Sequence, residues 1–154
     1  MKILLVDAGN YCRSPVAECV LRQMHVASGH GQALSFGSAG LKDKHAGDSA
    51  DPRSIAACAT RAYDLTAHRC REITAQDFRE CALILAMDRD NLVQLQQRKP
   101  ADSAARLQLF LGDAEVPDPY YGGDDGFALM MDQIEAGARI LLARLKSGPV
   151  DPLR

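Results

Sequence analysis

Apolar positions along this chain alternate between two periods. Lys2-Ile3-Leu4-Leu5-Val6 is a short aliphatic run that ends at Asp7, the pattern of a strand buried on both faces, and it predicts a strand over 2–6. A helix follows from about Pro15 to Ala27, with Ser14 as N-cap, Pro15 at the first helical position and Gly29 past the end. A second strand fits Ala33 to Ala39. Asp51-Pro52 opens another helix by the same cap-then-proline rule, running to about Ala62, and Thr74 and Asp77 stand three apart as a capping-box variant for a short helix. Ala82 to Met87 is the clearest buried strand; Asp88 then caps a helix through Gln97, and Leu107 to Leu111 makes a fourth strand. Phe127, Met130, Ile134, Ala138, Leu141 and Leu145 keep helical spacing, so a last helix over Asp125 to Lys146 turns that face to the sheet. Met87 and Met130 are read as core. Strands alternating with helices predict an α/β fold: a single domain over 1–154 with an open, four-stranded parallel sheet and helices on both faces.

In such sheets ligands bind outside the carboxyl ends of the strands. Three segments fall there: the loop of residues 7 to 14, the Met87-Asp88 pair, and the loop around Asp118. Lys42 to Ser49 reads as a polar loop and Ser147 to Arg154 as a frayed tail.

Composition narrows the functional classes. A net charge of −2 gives no basic footprint for nucleic acid, and four scattered histidines make no metal tract. The first apolar run stops before a signal-peptide core could form, and no segment approaches the roughly 18 apolar residues of a membrane span, so a cytoplasmic protein is expected. Five cysteines without framework spacing argue for reduced thiols. Cys19, Cys58, Cys70 and Cys81 are expected as small buried hydrophobes, whereas Cys12 lies inside the first loop. His45 and His68 have no acidic or thiol partner at ligand spacing and are read as structural or solvent-facing.

The loop Asp7-Ala8-Gly9-Asn10-Tyr11-Cys12-Arg13-Ser14 carries the chemistry. Set between a strand and a helix, it aims backbone N–H groups and a positive helix end at one point, where oxyanions bind, and Arg13 adds a planar fork that matches phosphate. With Gly9-Asn10, Cys12-Arg13-Ser14-Pro15, Ala17-Glu18, Ser38-Ala39-Gly40, Asp51-Pro52-Arg53, His68-Arg69, Met87-Asp88, Asn91 and Asp118-Pro119-Tyr120-Tyr121-Gly122, the chain resembles the low-molecular-weight protein tyrosine phosphatases over essentially its whole length. The family signature is Cys, five residues, Arg, then Ser or Thr. In this chain the spacing puts Asp7 in the nucleophile position.

The resemblance implies a phosphate cradle built from residues 8 to 14, with Arg13 on the oxyanion and Asp118 as the acid that protonates the leaving phenol. It implies that Asn10 props the loop, that Ser14 places a hydroxyl near the nucleophile, and that Tyr11, Tyr120 and Tyr121 wall the pocket. No cofactor and no metal are implied. The implied partner is a tyrosine-phosphorylated protein, a bacterial tyrosine kinase of surface-polysaccharide export being one such protein. In relatives the thiol equivalent to Cys12 can pair with the nucleophile; with Asp7 opposite, that partner is absent.

A carboxylate at the base of the loop can accept the N–H bonds meant for phosphate, and no second carboxylate in the loop could hold a divalent cation for acyl-phosphate chemistry. The expectation is therefore a phosphatase-type protein with its catalytic step disabled, with a non-catalytic pseudophosphatase module as the alternative. A receiver-domain reading, in which Asp51 and Lys99 play phosphoacceptor and switch lysine, fails because Ala8-Gly9 follows Asp7 where an acidic pair is required. An arsenate-reductase-like thiol relay loses its first thiol at Asp7. Tyr11 and the charged Lys42-Asp43-Lys44-His45 loop depart from many relatives, so substrate preference does not carry over.

Overall fold

In the computed structural model, which describes residues 1–29, 31, 33–119 and 123–147 and the side chains of all of these except residue 124, four parallel strands form one sheet in the order β2-β1-β3-β4. The strands are β1 (Lys2–Asp7), β2 (Ser35–Gly40), β3 (Leu83–Ala86) and β4 (Arg106–Leu109). The helices are α1 (Arg13–Ala27), α2 (Pro52–Ala59), α3 (Ala75–Glu80), α4 (Arg89–Arg98) and α5 (Asp124–Lys146). β1 lies inside the sheet, paired in register with β2 through Asp7↔Gly40 and with β3 through Val6↔Ala86.

The aliphatic run of β1 serves two cores, because successive side chains of a strand point to opposite faces. Ile3 and Leu5 join Val16, Val20, Met130, Ile134 and Leu141 beneath α1, α2 and α5. Leu4 and Val6 join Phe78, Ile84 and Leu95 beneath α3 and α4. Each of the four β1 aliphatics is fully buried, a contribution of roughly 1.5–3 kcal/mol apiece. The expected α/β architecture with helices on both faces is what the chain adopts.

Element ends depart from the expected ones for local reasons. α2 stops at Ala59, short of Ala62, because Ala62 takes a left-handed φ of 65° and the Tyr63 N–H turns back to Cys58 O. β4 ends at Leu109: Leu111 leaves the ladder in a turn whose Gly112 has φ 83°. β2 begins at Ser35 and runs to Gly40, later than predicted. Cys19 is half-buried, with its thiol donating to Asp64 O at 3.4 Å, while the other three structural cysteines are buried as expected.

Capping accounts for most helix starts. Asp51 accepts from Arg53 N at 2.8 Å, Thr74 and Asp77 close a full capping box, and Asp88 Oδ1 accepts from Asn91 N at 2.8 Å. Ser14 is not the N-cap of α1. The helix starts two residues earlier than Pro15, at Arg13, and its N-cap residue Cys12 contributes no side-chain bond.

Candidate active site

The donors at the start of α1 are satisfied from upstream. Asp7, the last residue of β1, is buried, and its carboxylate accepts from Asn10 N (2.6 Å, Oδ1), Arg13 N (3.1 Å, Oδ2) and Ser14 N (2.9 Å, Oδ2). A carboxylate at a helix N-terminus is favoured by the orphan N–H groups and by the positive dipole end. This side chain does the capping that the sequence pattern assigns to Ser14.

Asn10 holds the loop in shape. It takes a left-handed φ of 57°, which a non-glycine residue adopts at a cost unless its surroundings secure it. Its amide Nδ2 donates to Ser14 Oγ (2.9 Å) and Ser38 Oγ (3.0 Å), and its Oδ1 accepts from Arg71 N (3.0 Å). His68 Nε2 donates to its carbonyl at 3.0 Å, and Ser38 Oγ donates onward to Glu18 at 2.5 Å. The loop is sewn to the next segment by Leu41 N to Asp7 O and Lys42 N to Ala8 O. Gly40 makes that approach possible: a Cβ there would lie 2.7 Å from Gly9 C and 2.8 Å from Asn10 N.

Arg13 is almost fully buried. Its Nη1 donates to Asp88 Oδ2 and to Val116 O, each at 2.8 Å, and its Nη2 lies 3.8 Å from Asp118 Oδ2. Its Nε is buried with no hydrogen-bond partner among the described residues. Asp88 thus has two tasks, one oxygen for the α4 cap and one for Arg13, and only the first was legible in the sequence.

Cys12 is buried, and its thiol donates to Asp51 Oδ2 at 3.5 Å. Burial, then the negative charges of Asp51, Asp7 and Asp118, push its pKa far above that of an ordinary thiol. Burial works to raise the Asp51 carboxyl as well, but hydrogen bonds from Arg53 and Cys12 and the Arg53 charge outweigh it and leave Asp51 below the usual carboxylate range.

Asp7, Ala8, Gly9, Tyr11, Cys12, Arg13 and Asp118 line one pocket of about 200 Å³. Asn10 and Ser14 stand behind it, fully buried. Tyr120 and Tyr121, predicted as wall residues, lie outside the described residues. The pocket also takes in Lys42, Lys44 and His45. His45 stacks on Tyr11 with ring centroids 3.8 Å apart and an interplanar angle of 5°, so it belongs to the site rather than to solvent or core. The sequence signal for it was the charged loop itself, which departs from the family pattern at the pocket rim. Among the described residues no group of His, Cys, Asp or Glu is arranged to hold a metal ion, and no helix is long and apolar enough to cross a membrane.

This geometry has known counterparts. The family described as low molecular weight phosphotyrosine protein phosphatase matches residues 2–149. A low molecular weight protein-tyrosine-phosphatase of Streptomyces coelicolor is 36% identical over 94% of this chain and 93% of its own. The crystal structure of a protein tyrosine phosphatase from Entamoeba histolytica, with Hepes in the active site, superposes with a TM-score of 0.91 at 33% identity, covering 97% of this chain and 99% of that one. Vibrio vulnificus Wzb in complex with benzylphosphonate superposes with a TM-score of 0.82 at 27% identity over 93% and 97%. This chain belongs to the low molecular weight phosphotyrosine protein phosphatase family.

Proposed function

We propose that this chain is a phosphotyrosine-phosphatase scaffold in which Asp7 stands at the nucleophile position and disables the covalent step. The observation that carries the reading is the set of three N–H bonds that Asp7 takes from Asn10, Arg13 and Ser14. In a working cradle such donors meet the equatorial oxygens of the transferring phosphoryl group. A carboxylate in their midst occupies them and offers no thiolate for in-line attack.

The remaining parts suit the family reaction. Arg13, tied down through Nη1, is the oxyanion clamp, and Asp118 on the facing wall is the general acid. Cys12 is no substitute nucleophile. A raised pKa keeps its thiol protonated and therefore unreactive, and its proton already goes to Asp51. The partner class is a tyrosine-phosphorylated protein, bacterial tyrosine kinases included. The benzylphosphonate bound by the related Wzb supports an aromatic occupant for this pocket. The non-catalytic module is the same reading seen from its binding side: a rim that recognises a partner without turning it over.

The test is hydrolysis of an aryl phosphate by the chain as it stands and by Asp7→Cys. The unaltered chain should show only background turnover, and Asp7→Cys should gain vanadate-sensitive activity by several orders of magnitude through a phosphocysteine intermediate. Turnover by the unaltered chain that survives Asp118→Ala, or a folded Asp7→Cys without activity, overturns the assignment.

A further inference from the structure

The pocket mouth carries charge for which the phosphatase chemistry has no use. Lys42 and Lys44 project from the segment after β2, which is pinned to the loop by Lys42 N donating to Ala8 O at 2.9 Å. His45, from the same segment, lies flat on Tyr11. The pocket as a whole holds about 200 Å³, enough for one substituted ring on the scale of the roughly 150 Å³ cavity that takes up benzene.

What such a ring brings as its anionic group is constrained by the charge and the bonds that Asp7 and Arg13 already make in the loop. A phosphate ester carries close to two negative charges and three acceptor oxygens. The N–H groups of Asn10, Arg13 and Ser14 already go to Asp7, and Arg13 Nη1 already goes to Asp88 and Val116 O. Repulsion from the Asp7 carboxylate grows in proportion to the charge a ligand brings, so a singly charged group meets about half of it. A carboxylate has one charge and two coplanar oxygens, and it asks for fewer donors. Lys42 and Lys44 line the same pocket and add positive charge to it apart from the N–H groups that Asp7 takes.

We propose that the pocket of this chain, as it stands, takes a singly charged arylacetate-type carboxylate in preference to a doubly charged aryl phosphate or its phosphonate analogue, with Lys42 and Lys44 drawing the carboxylate and the stacked Tyr11–His45 pair forming one wall beside the ring. The inference rests on the reading that Asp7 fills the cradle.

The experiment is an NMR chemical-shift titration at pH 8 with three probes: phenylacetate, benzylphosphonate and benzyl alcohol. Phenylacetate should shift the amides of residues 9–13 and 42–45 in the unaltered chain, at least tenfold more tightly than either other probe. Lys42→Gln with Lys44→Gln should weaken phenylacetate about fivefold or more and leave benzyl alcohol unchanged. Asp7→Ser, or Asp7→Asn if the serine variant fails to fold, should reverse the order and favour benzylphosphonate. If the unaltered chain prefers benzylphosphonate, or binds neither anion while Asp7→Ser binds benzylphosphonate, the carboxylate proposal is overturned and, in the second case, the filled cradle stands. If phenylacetate stays preferred in Asp7→Ser, the filled cradle is not its cause and the proposal falls with that premise. Indifference to the lysine changes removes the assigned recognition.

Discussion

Asp7 and Ser14, seven positions apart, are joined by a 2.9 Å bond from the Ser14 N–H to the Asp7 carboxylate, which ties the end of the central strand to the first turn of α1. A helix start usually draws on its own N-cap side chain; α1 draws on the strand before it.

That bond and its two companions make Asp7 a structural ligand of its own loop. Asp7→Ala should lower stability by about 1–2 kcal/mol, the range for loss of an N-cap acceptor. Inorganic phosphate should then raise the melting temperature of Asp7→Ala in a concentration-dependent way, since anything that binds only the folded state stabilises it, and should leave the unaltered chain nearly unmoved. In the unaltered chain phosphate would have to approach the Asp7 carboxylate, and two unit charges about 4 Å apart repel by about 4 kcal/mol at a surface-like effective dielectric. Equal phosphate stabilisation of both proteins in a thermal shift series refutes this.

In an Asp7→Cys background, Asp118 becomes measurable. It faces Arg13 at 3.8 Å in the same pocket, and its replacement by Asn should reduce kcat by about 10²–10⁴-fold for a substrate with a poor leaving group. The loss should shrink for a phenol acidic enough to leave unprotonated. A uniform loss across leaving groups would remove Asp118 from the role of acid.

Gly40 is fixed by space rather than by backbone angle. A methyl group there collides with the backbone of Gly9 and Asn10, so Gly40→Ala should cost about 1–3 kcal/mol and displace the loop. Gly37, on the same strand, meets only the end of Leu4 at 3.5 Å, and Gly37→Ala serves as the mild control in chemical denaturation. Equal midpoints for the two variants would show that the loop can move aside.

Arg71 and Asp77 form a two-pronged pair at 2.8 and 2.9 Å, beside the Arg71 N–H that holds Asn10. Burial works to raise the Asp77 carboxyl, but the Arg71 and Thr74 hydrogen bonds and the Arg71 charge outweigh it and hold the pKa below the ordinary 3.8. A depressed carboxyl stabilises the fold fully above the unfolded pKa and loses that contribution as pH falls through the folded value. Asp77→Asn should therefore be less stable than the parent at pH 7, by about 1.5–3 kcal/mol for hydrogen bonds to a charged group, and the two curves should converge below about pH 4. A gap that persists at pH 2 would assign the effect to packing.

Much of this was legible because it is local. The β1 run, the caps at Asp51, Thr74 and Asp88 and the spacing from Asp7 to Ser14 each announce themselves within a few residues. The Asp88 tie to Arg13 was hidden because it spans 75 positions and exists only where β3 lies beside β1. His45 departs from its sequence reading for two reasons: it stacks on the ring of Tyr11, brought near by the pairing of β2 with β1, and Asp48, three residues along, stands 3.7 Å from its Nδ1 as an acidic neighbour. Ser14 reads as the cap from sequence because a cap is sought in the neighbouring side chain, whereas Asp7 reaches the same N–H groups from farther back.

The position of β1 between two neighbours has a further consequence. A strand hydrogen-bonded along both edges and buried on both faces cannot slip by one residue without sending Ile3 and Leu5 into the core of Leu4 and Val6 and carrying Asp7 away from α1. Whatever atom residue 7 presents is therefore delivered to the same end of the strand, so a single codon can exchange the chemistry at that point without a change of strand register.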